Sequence, residues 1–483
     1  MSEDVTKRVR KGARITFAGT VANGVLQVVG LTVLSRLLSP ADYGVFAISL
    51  SLNAVTLQFA ASAAERVLLL LEDGEDAERA FAPVMTIFAI AAVLPLIGYA
   101  IASRLGYEGL SFPLTCTLIL TQAVNALAIV PRAMLRRDIH FTRIVAGEFT
   151  GQLLGQLGLS ILLAYLGFGA AALALGQLLS AVITSAFVIS SRPHGLLCWQ
   201  ISGFGRIWKL FRSIGVITGL EMMAVQSPPF LLGSVLGVVT AGLFNRANAI
   251  IGLPLQLVTS SISRVLISGF SLSMRDQDAL RTIFLGQLRL VAVICIPVAA
   301  GLAASSDAFT EVVLGSGWRA VRPMVVPVSL FSAVSLMCVL TGTLADAAHR
   351  FREKIAIQMI DNVVAVLAIV GFGQIGAGPA LYALAASSLL RLGLSLKLSR
   401  AIVGARWLAI GRALVPAALS AAAVFVSASA VGWLLAGLTM AVVLAGQVAA
   451  CGVSLVATLL MVDRAMVFQV LGGDVRPKVP KSQ

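Results

Sequence analysis

Four polar side chains, Thr16, Thr20, Asn23 and Gln27, fall at spacings of 4, 3 and 4 in an otherwise apolar stretch. On a helix that spacing puts them on one stripe. Hydrogen-bonding groups turned to hydrocarbon are costly, so the stripe must face protein or water. It reads either as the wall of a hydrophilic cavity or as polar packing between helices. Arg66 and Arg264 close two further apolar stretches. An arginine fork keeps its charge and binds phosphate oxygens two at a time. The plainer reading is a pair of cations snorkelling to a membrane surface. Three acids, Glu148, Glu221 and Asp361, also lie within apolar stretches. Each reads as a carboxyl able to carry a proton or as one half of a structural ion pair. Glu221 is the best placed for ion coupling, since it lies nearest the middle of its stretch.

Enzymatic signatures are missing. The chain has no GxxxxGK[ST], HExxH or GxSxG pattern, so P-loop, zinc-protease and serine-hydrolase chemistry have no residues to run on. Its five cysteines (116, 198, 295, 338 and 451) are scattered without metal spacing. No cofactor, no metal and no catalytic activity are expected. The acidic run LEDGEDAE (71–78) reads as a solvated loop.

The elements that must position these residues are set by composition. Of 483 residues, 58% are hydrophobic and 12% charged, where a soluble domain carries roughly 25% charged. Fourteen apolar runs, from 15–37 to 437–462, are each long enough to cross a bilayer as a helix. The expected fold is an all-α polytopic membrane protein with about fourteen transmembrane helices. The net charge of +14 sits in segments between the runs, so it signals membrane orientation and not a nucleic-acid partner. With the N-terminus in the cytoplasm, five of the 36 Lys and Arg residues fall on the outer side: Arg36, Arg104, Arg246, Arg319 and Arg322. Both termini are therefore expected to be cytoplasmic. Arg36 and Arg246, placed where the rule disfavours cations, invite a functional explanation.

Shifting the chain by 198 residues exposes a repeat. Leu38, Gly44, Phe46, Leu57, Gln58, Ser62, Arg66, Val67 and Leu68 meet Leu236, Gly242, Phe244, Leu255, Gln256, Ser260, Arg264, Val265 and Leu266 without a gap. Asn23 meets Glu221. A weaker echo at 210 pairs Phe141 with Phe351. Spans 1–6 and 7–12 thus read as two copies of a six-helix lobe related by a pseudo-twofold axis, with spans 13–14 appended. The expected divisions are 1–190, a linker at 191–212, 213–400, and 401–483. Within the linker, Phe204, Ile207, Trp208 and Phe211 share one helical face, which suits an interfacial helix or a solvated connection. Prolines at 228, 229, 254, 297 and 327 read as hinges or static kinks. The Gly151/Gly155 and Gly233/Gly237 pairs read as close helix packing.

The stretch LSRLLSPADYGVFAIS (34–49) resembles the opening of Wzx-type polysaccharide transporters. FNRANAIIGLP (244–254), the Gly-Ser-Gly-Trp segment (315–318) and LRRDIHF (135–141) resemble later stretches of that family in the same order. The family is similar in fold to MATE-type exporters and to the lipid II flippase. The resemblance implies a flippase that carries undecaprenyl-pyrophosphate-linked oligosaccharide across a bacterial inner membrane for exopolysaccharide, O-antigen or capsule synthesis. It implies membrane lipids as surroundings, with a polysaccharide polymerase and co-polymerase as partners. On that reading an inter-lobe cavity works by alternating access. Asn23, Gln27, Gln58 and Gln256 would bind sugar, and Arg36, Arg66, Arg246 and Arg264 the pyrophosphate. Two alternatives stay open: a MATE-like, cation-coupled multidrug exporter, and a non-transporting scaffold of a polysaccharide assembly complex.

Overall fold

The computed structural model describes residues 3–70, 81–104, 106–107, 109–138, 140–191, 204–273 and 276–462. The acidic run at 71–78 and most of the 191–212 linker lie outside the described residues. So do the side chains of Gln256 and Arg264.

Among the described residues the chain is helical, with no strand. Helix α1 (Glu3–Leu37) ends where Ser39 and Pro40 start α2 (Pro40–Asn53). Ser39 caps α2 by accepting from the Asp42 amide, and the Asp42 carboxylate accepts in return from the Ser39 amide, a complete capping box with Pro at the first turn. A π-helical segment, Ala54–Gln58, joins α2 to α3 (Phe59–Leu70). The rods that follow are α4 (Phe81–Arg104), α5 (Phe112–Leu127), α6 (Ile129–Arg137), α7 (Phe141–Gly151), α8 (Ser160–Tyr165), α9 (Ala170–Ser191), α10 (Phe204–Leu236) and α11 (Val238–Ser273). Then come α12 (Gln277–Ala304), α13 (Ser306–Phe309), α14 (Arg322–Ala347), α15 (Phe351–Gly373), α16 (Ala377–Val403), α17 (Trp407–Leu434) and α18 (Met440–Val462).

Ten of these helices, some of them composite, are long and apolar enough to cross a membrane, or 11 if the bent pair α5–α6 is one span. The expected fourteen crossings go beyond that count. Lipid is the solvent these surfaces need. Helix α15 leaves Val363, Leu367 and Val370 exposed, and α4 does the same with Ile90, Leu94 and Ile101, apolar faces that water would not tolerate at this extent. The prolines at 228, 229, 254, 297 and 327 all sit inside continuous helices.

Two compact units divide between Asn245 and Arg246. In the first, α10 packs along α2 and α3. Residues from Phe204 onward form the opening turns of α10, continuous with the span that follows. Phe211 is buried, with its ring 5.9 Å from that of Phe59, so this residue of the expected interfacial face is seated in the protein core. Gly155 lets the segment after α7 approach α9 closely: a Cβ there would lie 2.7 Å from the Ser180 Cα and 2.8 Å from the Gly176 carbonyl oxygen. Gly233 abuts Ile48 in the same way, whereas Gly237, at φ +91°, turns the chain from α10 into α11. In the second unit α12 packs along α17, α17 along α18, and α16 against both α14 and α15.

One helix-ending turn recurs at the offset of 210 residues. Arg350 donates its amide to Ala345 and Ala348 to Leu344, while 210 positions earlier His140 donates to Leu135 and Asp138 to Met134, all at 2.9 Å. The helix-capping residues before Phe141 and Phe351 adopt nearly the same angles, φ −91° and ψ 59° at His140, φ −87° and ψ 50° at Arg350.

Candidate functional site

Helix α3 is the second half of the span Pro40–Leu68, and its apolar positions (Ala60, Ala63, Ala64, Val67 and Leu68) are buried in a core shared with Phe81, Phe88 and Val130. That packing fixes the opposite edge of α3, which carries Arg66. The Arg66 guanidinium donates to Glu221 Oε2 at 3.1 Å. Glu221 lies near the midpoint of α10, so Arg66 reaches across to a neighbouring helix. Side-chain exposure of 48% for Arg66 and 28% for Glu221 leaves the guanidinium open to a second oxygen ligand, since Arg has five donors and this contact uses one. The pair thus joins a residue expected to hold phosphate to one expected to couple ions.

Polar side chains accompany it in the first unit. Thr218, one turn from Glu221, is buried, and its hydroxyl has no hydrogen-bond partner among the described residues. Asn23 and Gln27 are half-buried on α1, and the Asn23 carbonyl oxygen is likewise buried and unmatched. Thr20 turns inward on its own helix and donates its hydroxyl to the Thr16 backbone carbonyl at 2.9 Å, so this member of the stripe is satisfied locally. Gln58 ends the π-helical segment and is half-buried; such single-turn widenings commonly mark functional positions. Arg36 is exposed on the last turn of α1. Arg246, the first residue of the second unit, is half-buried.

The other two acids are engaged. Glu148 stands within Coulomb reach of Arg132 and Arg136, and Arg136 donates to Glu65. Two cations on α6 therefore balance two carboxylates from α3 and α7. Asp361 accepts from Arg391 at 2.9 Å, with side-chain exposures of 7% and 10%, a closed ion pair between α15 and α16. Sequence spacing gave no sign of Arg132, Arg136 or Arg391 as the partners, because helix packing decides which residues meet across helices. Among the described residues, no group of three metal-binding side chains occurs.

A many-helix bundle with arginine–carboxylate pairs between its helices is the architecture of a multi-pass membrane protein. The structure aligns with that of the lipid II flippase MurJ in an inward closed conformation at a TM-score of 0.72, 14% identity, over 95% of this chain and 99% of that one. It also aligns with an inward-facing multidrug resistance MATE family transporter of the MOP superfamily (TM-score 0.52, 20% identity, 80% of this chain and 94% of that one). Residues 33–323, more than half of the chain, match the model of a family described as polysaccharide biosynthesis protein, and the chain belongs to that family. It is 25% identical over 326 residues to the succinoglycan biosynthesis transport protein ExoT of Rhizobium meliloti (strain 1021), spanning 65% of this chain and 64% of that protein. It is 23% identical to the teichuronic acid biosynthesis protein TuaB of Bacillus subtilis (strain 168), over 40% of each. The chain thus matches less than two thirds of the length of these relatives.

Proposed function

We propose that this protein is a flippase that moves undecaprenyl-pyrophosphate-linked oligosaccharide repeat units from the inner to the outer face of a bacterial inner membrane by alternating access, with both termini cytoplasmic. The observation that carries the reading is the half-exposed Arg66–Glu221 pair. In the empty carrier Glu221 stands in for an anion. An arriving pyrophosphate, with more charge and more acceptor oxygens than a carboxylate, displaces it from Arg66. Protonation of Glu221 favours that exchange, and this links cargo binding to a proton. Asn23, Gln27, Gln58 and Gln256 supply hydrogen bonds to sugar hydroxyls. Arg264 is the repeat mate of Arg66, and Arg36 and Arg246 draw the pyrophosphate outward. Glu148 and Asp361, each beside an arginine, serve structure in this scheme. A polymerase and co-polymerase downstream take up the exported unit.

Names among the relatives support the substrate class, since ExoT is a transport protein of succinoglycan biosynthesis. A cationic-drug exporter would need a carboxylate free for its substrate, and Glu221 is held by Arg66. Reconstituted translocation of a labelled polyprenyl-pyrophosphate oligosaccharide tests the proposal. Transport by the native chain and its loss in Arg66→Ala are expected. An inactive native chain in such vesicles, or one that moves a cationic dye instead, overturns it.

A further inference from the structure

The repeat register at 198 residues maps Pro40 onto Val238 and Gly44 onto Gly242. These four residues are also in contact, and the contact is reciprocal. A Cβ on Gly44 would clash with the Val238 carbonyl oxygen, and a Cβ on Gly242 with the Pro40 carbonyl oxygen. The Gly242 Cβ would also lie 2.8 Å from the Gly44 amide nitrogen. The first turns of α2 and α11 therefore cross backbone against backbone, each glycine over the carbonyl of the other helix's first residue. Exchanging the two copies leaves the contact unchanged, which makes it isologous in the sense used for twofold dimers.

No side chain threads between the two backbones at this crossing, and the Val238 side chain alone abuts Gly44 from the edge. Neither helix start depends on the other for its polar groups. At α2, Ser39 donates its amide to Asp42 Oδ2 at 2.9 Å, and Asp42 donates its own amide back to Ser39 Oγ at 3.2 Å. At α11, Thr240 donates its amide to the Gly237 carbonyl at 3.1 Å and its hydroxyl to the Leu236 carbonyl at 3.2 Å. Separation leaves these caps intact, so it strands no buried donor. The Lys/Arg ledger puts both helix starts on the outer side.

We infer that Gly44 and Gly242 are the two closing surfaces of the carrier's outer gate, a pseudo-symmetric backbone clasp that is shut in this structure and opens to release cargo. This rests on the transport reading above. Any side chain at either glycine wedges the clasp apart while leaving both helices formed.

The test places spin labels at Ala41→Cys and Val239→Cys, exposed repeat mates directly after Pro40 and Val238. The full-length chain is used in lipid vesicles with its five native cysteines replaced. Pulsed electron–electron resonance should show a short-distance population with glycine at both positions. Gly44→Val and Gly242→Val should each deplete it by about tenfold, a modest shift in a two-state equilibrium. Both should halt translocation of the labelled lipid, and the double variant should be no worse than either single one. The milder Gly44→Ala and Gly242→Ala variants guard against misfolding and should show the same direction of change with an unaltered melting temperature. Native distances in the valine variants overturn the clasp, as do alanine variants that transport normally. If distances shift as expected while the native chain moves no polyprenyl-pyrophosphate lipid, the clasp stands and the flippase reading fails.

Discussion

Arg66 and Glu221 are separated by 155 positions, yet their side chains meet at 3.1 Å between α3 and α10. One is the repeat mate of Arg264, the other of Asn23. The pairing therefore joins the C-terminal half of α3 to a mid-helix position of α10, and it puts a cation under the control of a carboxylate. Four outcomes follow from this and from the packing around it.

Arg66→Ala should reduce export by roughly 10–100-fold, the equivalent of one charge-assisted interaction of about 1.5–3 kcal/mol. Arg66→Lys keeps the charge but loses the fork, so its rate should fall between native and alanine. Initial rates in proteoliposomes, normalised to protein abundance, check both.

Glu221→Gln removes the resident anion while keeping the shape of the side chain. Arg66 then meets an arriving phosphate without competition, and inorganic pyrophosphate should bind more tightly than to the native chain. Export should lose its response to an imposed proton gradient. Full export that still follows the gradient would remove Glu221 from coupling.

The buried Asp361–Arg391 pair should behave as structure. Asp361→Ala strands a buried cation and should cost about 3–5 kcal/mol, read as a fall in melting temperature in detergent. Pairing Asp361→Leu with Arg391→Met removes both charges and should recover most of the loss, because apolar replacements of a buried pair are often neutral. Transport should return with stability. A stable double variant that does not transport would give Asp361 a functional role.

Gly155 meets the Ser180 backbone and Gly176 on α9. Gly155→Val should therefore overpack this crossing by about 1–3 kcal/mol, visible as a lower melting temperature with no change in pyrophosphate affinity. Gly237→Ala acts differently, through the turn at φ +91°, and should destabilise by straining the backbone.

The spans were legible because hydrocarbon demands long apolar runs wherever a chain crosses it. The repeat was legible because polar and glycine matches keep one register at 198 residues, and the paired hydrogen bonds at His140 and Arg350 recur at the separate offset of 210. Partners of the buried charges were not legible. Asp361 and Arg391, or Arg66 and Glu221, meet only through helix packing, and residue spacing does not encode that. Gly237 resembles Gly233 in sequence but makes a turn, since a positive φ leaves no periodic trace. From spacing alone Phe211 reads as part of an interfacial helix or of a solvated connection. Continuation of α10 seats it against Phe59 instead.

The central claim is that an anionic lipid headgroup passes by way of Arg66. The most direct measurement is the unidirectional translocation of a fluorescent undecaprenyl-pyrophosphate oligosaccharide in vesicles holding the native chain, Arg66→Ala or no protein. Rapid movement is predicted with the native chain, and a rate roughly 10–100-fold lower with Arg66→Ala. Equal rates for the native chain and Arg66→Ala would contradict it, as would a native rate no faster than empty vesicles.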